Sequence, residues 1–135
     1  MVKVLDASAA VLFFEMRPGY EIVRQLFIDA SSHRITLLMT AVNWGEVRYT
    51  LMYKFGKIEP QKSTHALQSL PVKIIDVNEE ITALAGDLKL HYKMGYCDAM
   101  AAALAKLHKA ECVTSDSGFR VLKDEIKLLW INPKV

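Results

Sequence analysis

The chain has 135 residues, 52% of them apolar and 24% charged, which suits one folded domain with a real core and excludes a disordered chain. A net charge of +2 is too small for bulk attraction to nucleic acid, so any such role must rest on local placement of charge. No apolar run approaches the ~20 residues that a membrane-crossing helix needs, so no membrane partner is expected.

The opening "VKVLDA" reads as a short buried strand, and Ser8 is placed to start a helix through Phe14. Lys3 ahead of "ASAAVLFF" faintly imitates a secretory leader, but Asp6 and the charged "EMRPGYE" oppose that reading. "RPGY" breaks the chain before the amphipathic helix "EIVRQLFIDA". A second strand, "ITLLMTA", feeds the helix "NWGEVRYTLMYKF", whose expected end is Gly56. Another helix follows Pro60 to about Leu70, and Pro71 introduces a third strand, "VKIIDV". Two helices, "EEITALAGDLKLHYK" and "DAMAAALAKLHK", flank a break at Met94 and Gly95. "ECVTS" and "IKLLWI" read as strands four and five. This alternation predicts a single α/β domain over residues 1–135, with a mainly parallel five-stranded sheet flanked by helices on both faces.

Cys97 and Cys112 have neither zinc spacing nor a disulfide-framework pattern, and are expected as reduced thiols of a soluble cytoplasmic protein. His33, His65, His91 and His108 show no ligand spacing, and His91 and His108 are expected at the surface.

In a parallel sheet, ligands bind beyond the carboxyl ends of the strands. Asp6 closes strand one and Asp116, in "TSDSGF", closes strand four. Glu46 lies in the first turn of the helix leaving strand two, and Asp98 begins the helix leading back into strand four. Topology alone therefore brings four acids from four segments to one edge. Carboxylates held close repel one another and are pushed towards protonation. A hard divalent cation removes that cost, and Mg²⁺ binds through a few carboxylates, waters and substrate phosphates. Such an ion can polarise a phosphodiester and stabilise its leaving oxygen.

Each acid also has an ordinary structural reading. Asp98 has the residue type of a helix N-cap. "NWGE" has the spacing of a capping box between Asn43 and Glu46. Asp116 opens a turn-rich "DSG". Asp6 is the hardest to explain this way, because Ser8 already offers a cap and a buried strand end is a costly place for charge. Asp76, in "IIDV", sits near another strand's carboxyl end and stays open as a further member. In "EVRYTLMYKFGK", Arg48, Lys54 and Lys57 interleave with Tyr49, Tyr53 and Phe55. That pattern reads either as phosphate contact with base stacking or as an amphipathic helix with a solvated face, some of whose aromatics serve an interface.

The stretches "VLDASAAV", "NWGEV", "YCDAMAAALA" and "VTSDSGF" resemble the four acidic motifs of PIN domains, and more closely those of VapC-type toxins from prokaryotic toxin–antitoxin pairs. The resemblance covers essentially the whole chain in motif order and spacing, with Thr114, Asp116 and Phe119 filling its late Thr–x–Asp–x–x–Phe. It implies strand one beside strand four, and Asp6, Glu46, Asp98 and Asp116 binding Mg²⁺ or Mn²⁺ for endoribonuclease chemistry. Ser8, with Thr114 or Ser115, would support them by hydrogen bonds. It further implies a homodimer, RNA as substrate, and inhibition by a VapB-like antitoxin whose tail crosses the active-site groove. Two other readings stand beside it. One is a PIN nuclease acting in RNA maturation or on structured DNA without an antitoxin. The other is a phospho-acceptor receiver domain using Asp76, which wants an acidic pair after strand one where Asp6 stands alone.

Overall fold

The apolar runs of the sequence are the strands: β1 (Val2–Leu5), β2 (Thr36–Thr40), β3 (Lys73–Ile75), β4 (Glu111–Thr114) and β5 (Leu128–Trp130). The computed structural model describes residues 1–55 and 60–131, and of residues 60–63 the backbone only. Gly56, the expected helix end, and Lys57 lie outside the described residues. All pairings are parallel, in the order β3-β2-β1-β4-β5. The chain works outward from β1 to β3 and then returns to the other side of β1, so β1 and β4 lie side by side where the order reverses. That reversal opens a crevice at the carboxyl ends of the two strands.

Between the strands run α1 (Ala7–Phe14), α2 (Tyr20–Ser31), α3 (Ala41–Phe55), α4 (Pro60–Gln68), α5 (Glu79–Tyr92) and α6 (Tyr96–His108). Side chains alternate across the sheet, as a period of two requires. Val4, Leu38 and Cys112 pack with α5, α6 and Phe119 on one face. Leu5, Leu37, Met39 and Val113 pack with α1, α2 and α3 on the other. Burying each large aliphatic or aromatic side chain contributes roughly 1.5–3 kcal/mol, so these two layers hold the domain together. Ala99, Ala101, Ala102, Ala103 and Ala105 of α6 are all buried. Side chains this small let α6 lie close to the sheet and bring its first turn to the crevice.

The helix starts differ from the expected ones at four places. Helix α1 begins at Ala7, α2 at Tyr20, α3 at Ala41 and α6 at Tyr96, each one or two residues early. At the "RPGY" break, Gly19 is the N-cap of α2 with φ 98°, a left-handed conformation that suits a residue without Cβ. Asn78 caps α5, accepting from the Ile81 amide at 3.0 Å. Left-handed Lys93 ends α5 at the expected break. A 3-10 turn over Ser117–Leu122, which the sequence pattern does not announce, follows β4. Helix α4 ends at Gln68, short of Leu70. Cys97 is half-buried and Cys112 buried, both free thiols. His33, His65, His91 and His108 are all exposed. Among the described residues, no helix is long and apolar enough to cross a membrane.

Candidate active site

Asp6 follows the last residue of β1 and is 1% exposed. It is itself the N-cap of α1, where Ser8 was expected to serve; Ser8 stands in the first turn and hydrogen-bonds to it. The Ser8 hydroxyl donates to Asp6 Oδ2 at 2.7 Å and the Thr114 hydroxyl at 3.0 Å, with the Ser8 amide further off at 3.4 Å. Both hydroxyls are held in turn by the backbone that follows β4. The Ser115 amide donates to Ser8 Oγ at 3.0 Å, and the Asp116 amide to Thr114 Oγ1 at 3.0 Å. Ser115 thus acts through its backbone rather than its hydroxyl. Because each hydroxyl accepts from a fixed N–H, its own proton is directed to Asp6. Oδ2 is saturated, whereas Oδ1 is buried with no hydrogen-bond partner.

Asp116 caps the 3-10 turn, its Oδ1 accepting from the Gly118 amide at 2.8 Å. Asp98 is not the N-cap of α6; Gly95 holds that position, and Asp98 lies half-buried in the first turn. A methyl group added at Gly118 would lie 3.2 Å from Asp116 Oδ1 and 3.9 Å from Asp98 Oδ2. One added at Gly95 would lie 3.6 Å from that same Asp98 oxygen. Both glycines are exposed, so the mouth of the cluster carries no side chain there.

Glu46 is half-buried in the second turn of α3, not in the first turn as expected, because the helix already begins at Ala41. The capping box expected between Asn43 and Glu46 does not form, because the helix starts earlier and Thr40 caps it. Thr40 Oγ1 accepts from the Asn43 amide at 3.0 Å and donates to Asn43 Oδ1 at 2.5 Å. The Asn43 side chain instead donates to Glu46 Oε1 at 2.9 Å and to the Cys97 carbonyl of α6 at 3.0 Å.

The electrostatics follow from this crowding. Burial pushes Asp6 up from 3.8 to about 6; the hydroxyls of Ser8 and Thr114 oppose the shift, and Glu46 and Asp116 add to it. Asp98 is pushed further, to about 7, by burial first and then by Asp6 and Asp116, with a hydrogen bond to Asp116 and the charge of Glu46 adding. Burial and the nearby Glu46, Asp98 and Asp6 also raise the Cys97 thiol, which holds it neutral. The strongest charges acting on Asp6 and Asp98 are therefore acids, and all four predicted acids belong to the set. Asp76 does not join it. It is exposed after β3, the outermost strand on its side of the sheet, with β2 lying between it and the pair β1 and β4.

The donor set fits a hard divalent cation. It consists of carboxylate oxygens, one of them buried and unpartnered, in a place where negative charge lacks compensation. Among the described residues no three His, Cys, Asp or Glu side chains close around one point as a preformed cage would. Mg²⁺ does not require that, since it is commonly held by one or two carboxylates with waters and phosphate oxygens completing the octahedron. The expected nucleic-acid strip on α3 is partly engaged elsewhere. Arg48 Nε donates to Thr64 at 2.9 Å, and Lys54 pairs with Glu15 at 2.9 Å. Tyr49 and Tyr53 are 62% and 75% exposed.

Residues 3–125 match the family model of the PIN domain. No curated protein sequence matches the chain. Among solved structures, a toxin–antitoxin complex from Klebsiella pneumoniae aligns with a TM-score of 0.75 at 17% identity, covering 98% of this chain and 99% of that one. VapBC-1 from nontypeable Haemophilus influenzae aligns with a TM-score of 0.72 at 22% identity, over 96% and 98%. VapC20 from Mycobacterium tuberculosis, a sarcin–ricin loop cleaving toxin, aligns with a TM-score of 0.69 at 13% identity, over 92% and 95%. At these identities the likeness is one of fold, and the PIN fold is that of a family of nucleases. With its parallel sheet and the family model spanning most of its length, the chain belongs to the PIN domain family.

Proposed function

We propose that the chain is a metal-dependent endoribonuclease, the toxin of a toxin–antitoxin pair, cutting RNA phosphodiesters at Asp6, Glu46, Asp98 and Asp116. The observation that carries the reading is the buried, unpartnered Oδ1 of Asp6, on a carboxyl crowded by Glu46 and Asp116 and itself acting on Asp98, at the carboxyl ends of β1 and β4. A charge in that position is costly unless a cation compensates it. Mg²⁺ or Mn²⁺, when bound, supplies positive charge that polarises the phosphodiester and acidifies the attacking water.

The chain's own residues do the positioning. Ser8 and Thr114 fix Asp6 through Oδ2 and leave Oδ1 without a hydrogen bond, so Oδ1 is the oxygen that would hold an ion. Asp116 is held by the Gly118 amide and Asp98 by the first turn of α6, so both acids stand on rigid backbone. With Gly95 and Gly118 at the mouth, the phosphate backbone can approach Asp98 without meeting a side chain. Because Arg48 and Lys54 are engaged within the protein, the exposed rings of Tyr49 and Tyr53 are the better surface for RNA or for a partner chain. Similarity in fold to toxin–antitoxin complexes supports a VapB-like antitoxin as partner. The VapC20 likeness supports RNA as substrate. We extend the reading to a homodimer working in the cytoplasm.

The test is RNA cleavage with Mg²⁺ or Mn²⁺, with and without EDTA, by the natural sequence and Asp6→Asn. The expected result is EDTA-sensitive cleavage that falls by at least about two orders of magnitude in the variant, since transition-state charge stabilisation is lost with the ligand. Cleavage that survives EDTA, or is equal in the variant, contradicts the reading.

A further inference from the structure

Beyond the four acids, we infer that Asn43 is a positioning residue that sets the mutual placement of Glu46 and Asp98. This rests on the four-acid site proposed above. Asn43 is fully buried. Its amide group lies between two acceptors, Glu46 Oε1 at 2.9 Å and the Cys97 carbonyl at 3.0 Å. Its Oδ1 faces the Thr40 hydroxyl at 2.5 Å. Only one orientation of the amide satisfies this arrangement, because two acceptors need two N–H groups and a carboxamide has two on one side. Every side-chain polar atom of Asn43 is therefore in use.

The geometry has a direct consequence. The Cys97 carbonyl belongs to the peptide unit that carries the Cα of Asp98, so one amide group grips the Glu46 carboxylate and the backbone from which Asp98 projects. It ties the first turn of α3 to the first turn of α6, two segments 54 residues apart in sequence. With Oε1 occupied by Asn43, the Glu46 carboxylate is held in one orientation, and Oε2 is the oxygen this bond leaves unused. The Thr40 hydroxyl, at the end of β2, anchors the far side of Asn43 by donating to its Oδ1 and accepting from its backbone N–H, so the whole arm refers back to the sheet. Hydrogen bonds of this kind to a ligating carboxylate typically affect metal affinity about 10–100-fold.

The experiment is Mn²⁺ binding followed by the electron paramagnetic resonance of free Mn²⁺, on the natural sequence, Asn43→Ala, Glu46→Ala and the double variant. Folding of each is checked by thermal melting. Asn43→Ala should weaken Mn²⁺ binding about tenfold. In the Glu46→Ala background the same substitution should cost at least about threefold less, because its principal partner is gone. An equal loss in both backgrounds, or no loss in either, overturns the role of Asn43. Should Asn43→Ala fail to fold, Asn43→Asp keeps the volume and the Thr40 contact but turns an oxygen towards Glu46 and Cys97. It should lose at least as much affinity, and unchanged affinity overturns the role. If the natural sequence takes up no Mn²⁺, the four-acid site itself falls, an outcome distinct from failure of Asn43 alone.

Discussion

Strands β1 and β4 lie side by side, yet their two ends treat charge in opposite ways. Near the amino end, Lys3 and Glu111 are register partners and form an ion pair at 2.5 Å, so an acid there meets a base across the ladder. At the carboxyl end, the charges that act on Asp6 are those of Glu46 and Asp116, and Asp6 in turn acts on Asp98, so every one of them is negative. The same fold thus neutralises charge where it only needs to be stable, and leaves it uncompensated where a cation could bind. The imbalance is sustained by rigid polar support, with two hydroxyls on one oxygen of Asp6 and none on the other.

The sharpest way to break this contrast is Asp6→Asn. Cleavage should fall at least about 100-fold, while the metal-free protein at pH 8 should gain about 1–2 kcal/mol, because a buried charge costs more than a poorly paired amide. Urea unfolding gives the second quantity; a loss of stability alongside the lost activity would mean that Asp6 is chiefly a structural cap. Next in size is the effect of the ion. Mg²⁺ or Mn²⁺ at a hundred times its dissociation constant should stabilise the protein by about 2.7 kcal/mol, reversed by EDTA and absent in Asp6→Asn.

A smaller effect is the pH dependence of the metal-free state. Asp6 and Asp98 have folded values of about 6 and about 7 against an ordinary 3.8, so the folded chain holds more protons than the unfolded one between those values. Their contribution is fully present below about pH 4 and is lost as the pH rises through 6 and 7. Melting temperatures without metal should therefore fall across that window, and saturating Mn²⁺ should remove the fall. A melting temperature that rises over the same interval contradicts the raised values. Smallest of all is the amino end, where Lys3→Met should cost about 1 kcal/mol while Mn²⁺ affinity and cleavage stay within about twofold.

What could be seen beforehand follows the same division. The strands β1, β2 and β4 are short apolar runs, legible because burial on both faces leaves no polar alternation. Their parallel order follows from the helices between them, and four acids at strand ends and helix starts follow from that order. The helix starts at this edge were not legible. Ser8, Asn43 and Asp98 are all good capping types, yet Asp6, Thr40 and Gly95 hold the caps. The choice is made by partners far away in sequence, such as the Ser115 amide on Ser8 and the Cys97 carbonyl on Asn43. Local capping preference, worth about 1 kcal/mol, cannot compete with such tertiary bonds. For the same reason Arg48 and Lys54 read as available cations until Thr64 and Glu15 are seen to engage them.

The central claim, that the uncompensated end of β1 and β4 is a divalent-cation site, is tested most directly by proton release. Mn²⁺ titrated calorimetrically at pH 6 in buffers of different ionisation enthalpy should displace about one proton per site, because ligands must be deprotonated to bind. At pH 8.5 the release should vanish, and Asp6→Asn should abolish or greatly weaken the binding. No binding, or binding at pH 6 without proton release, would contradict the account.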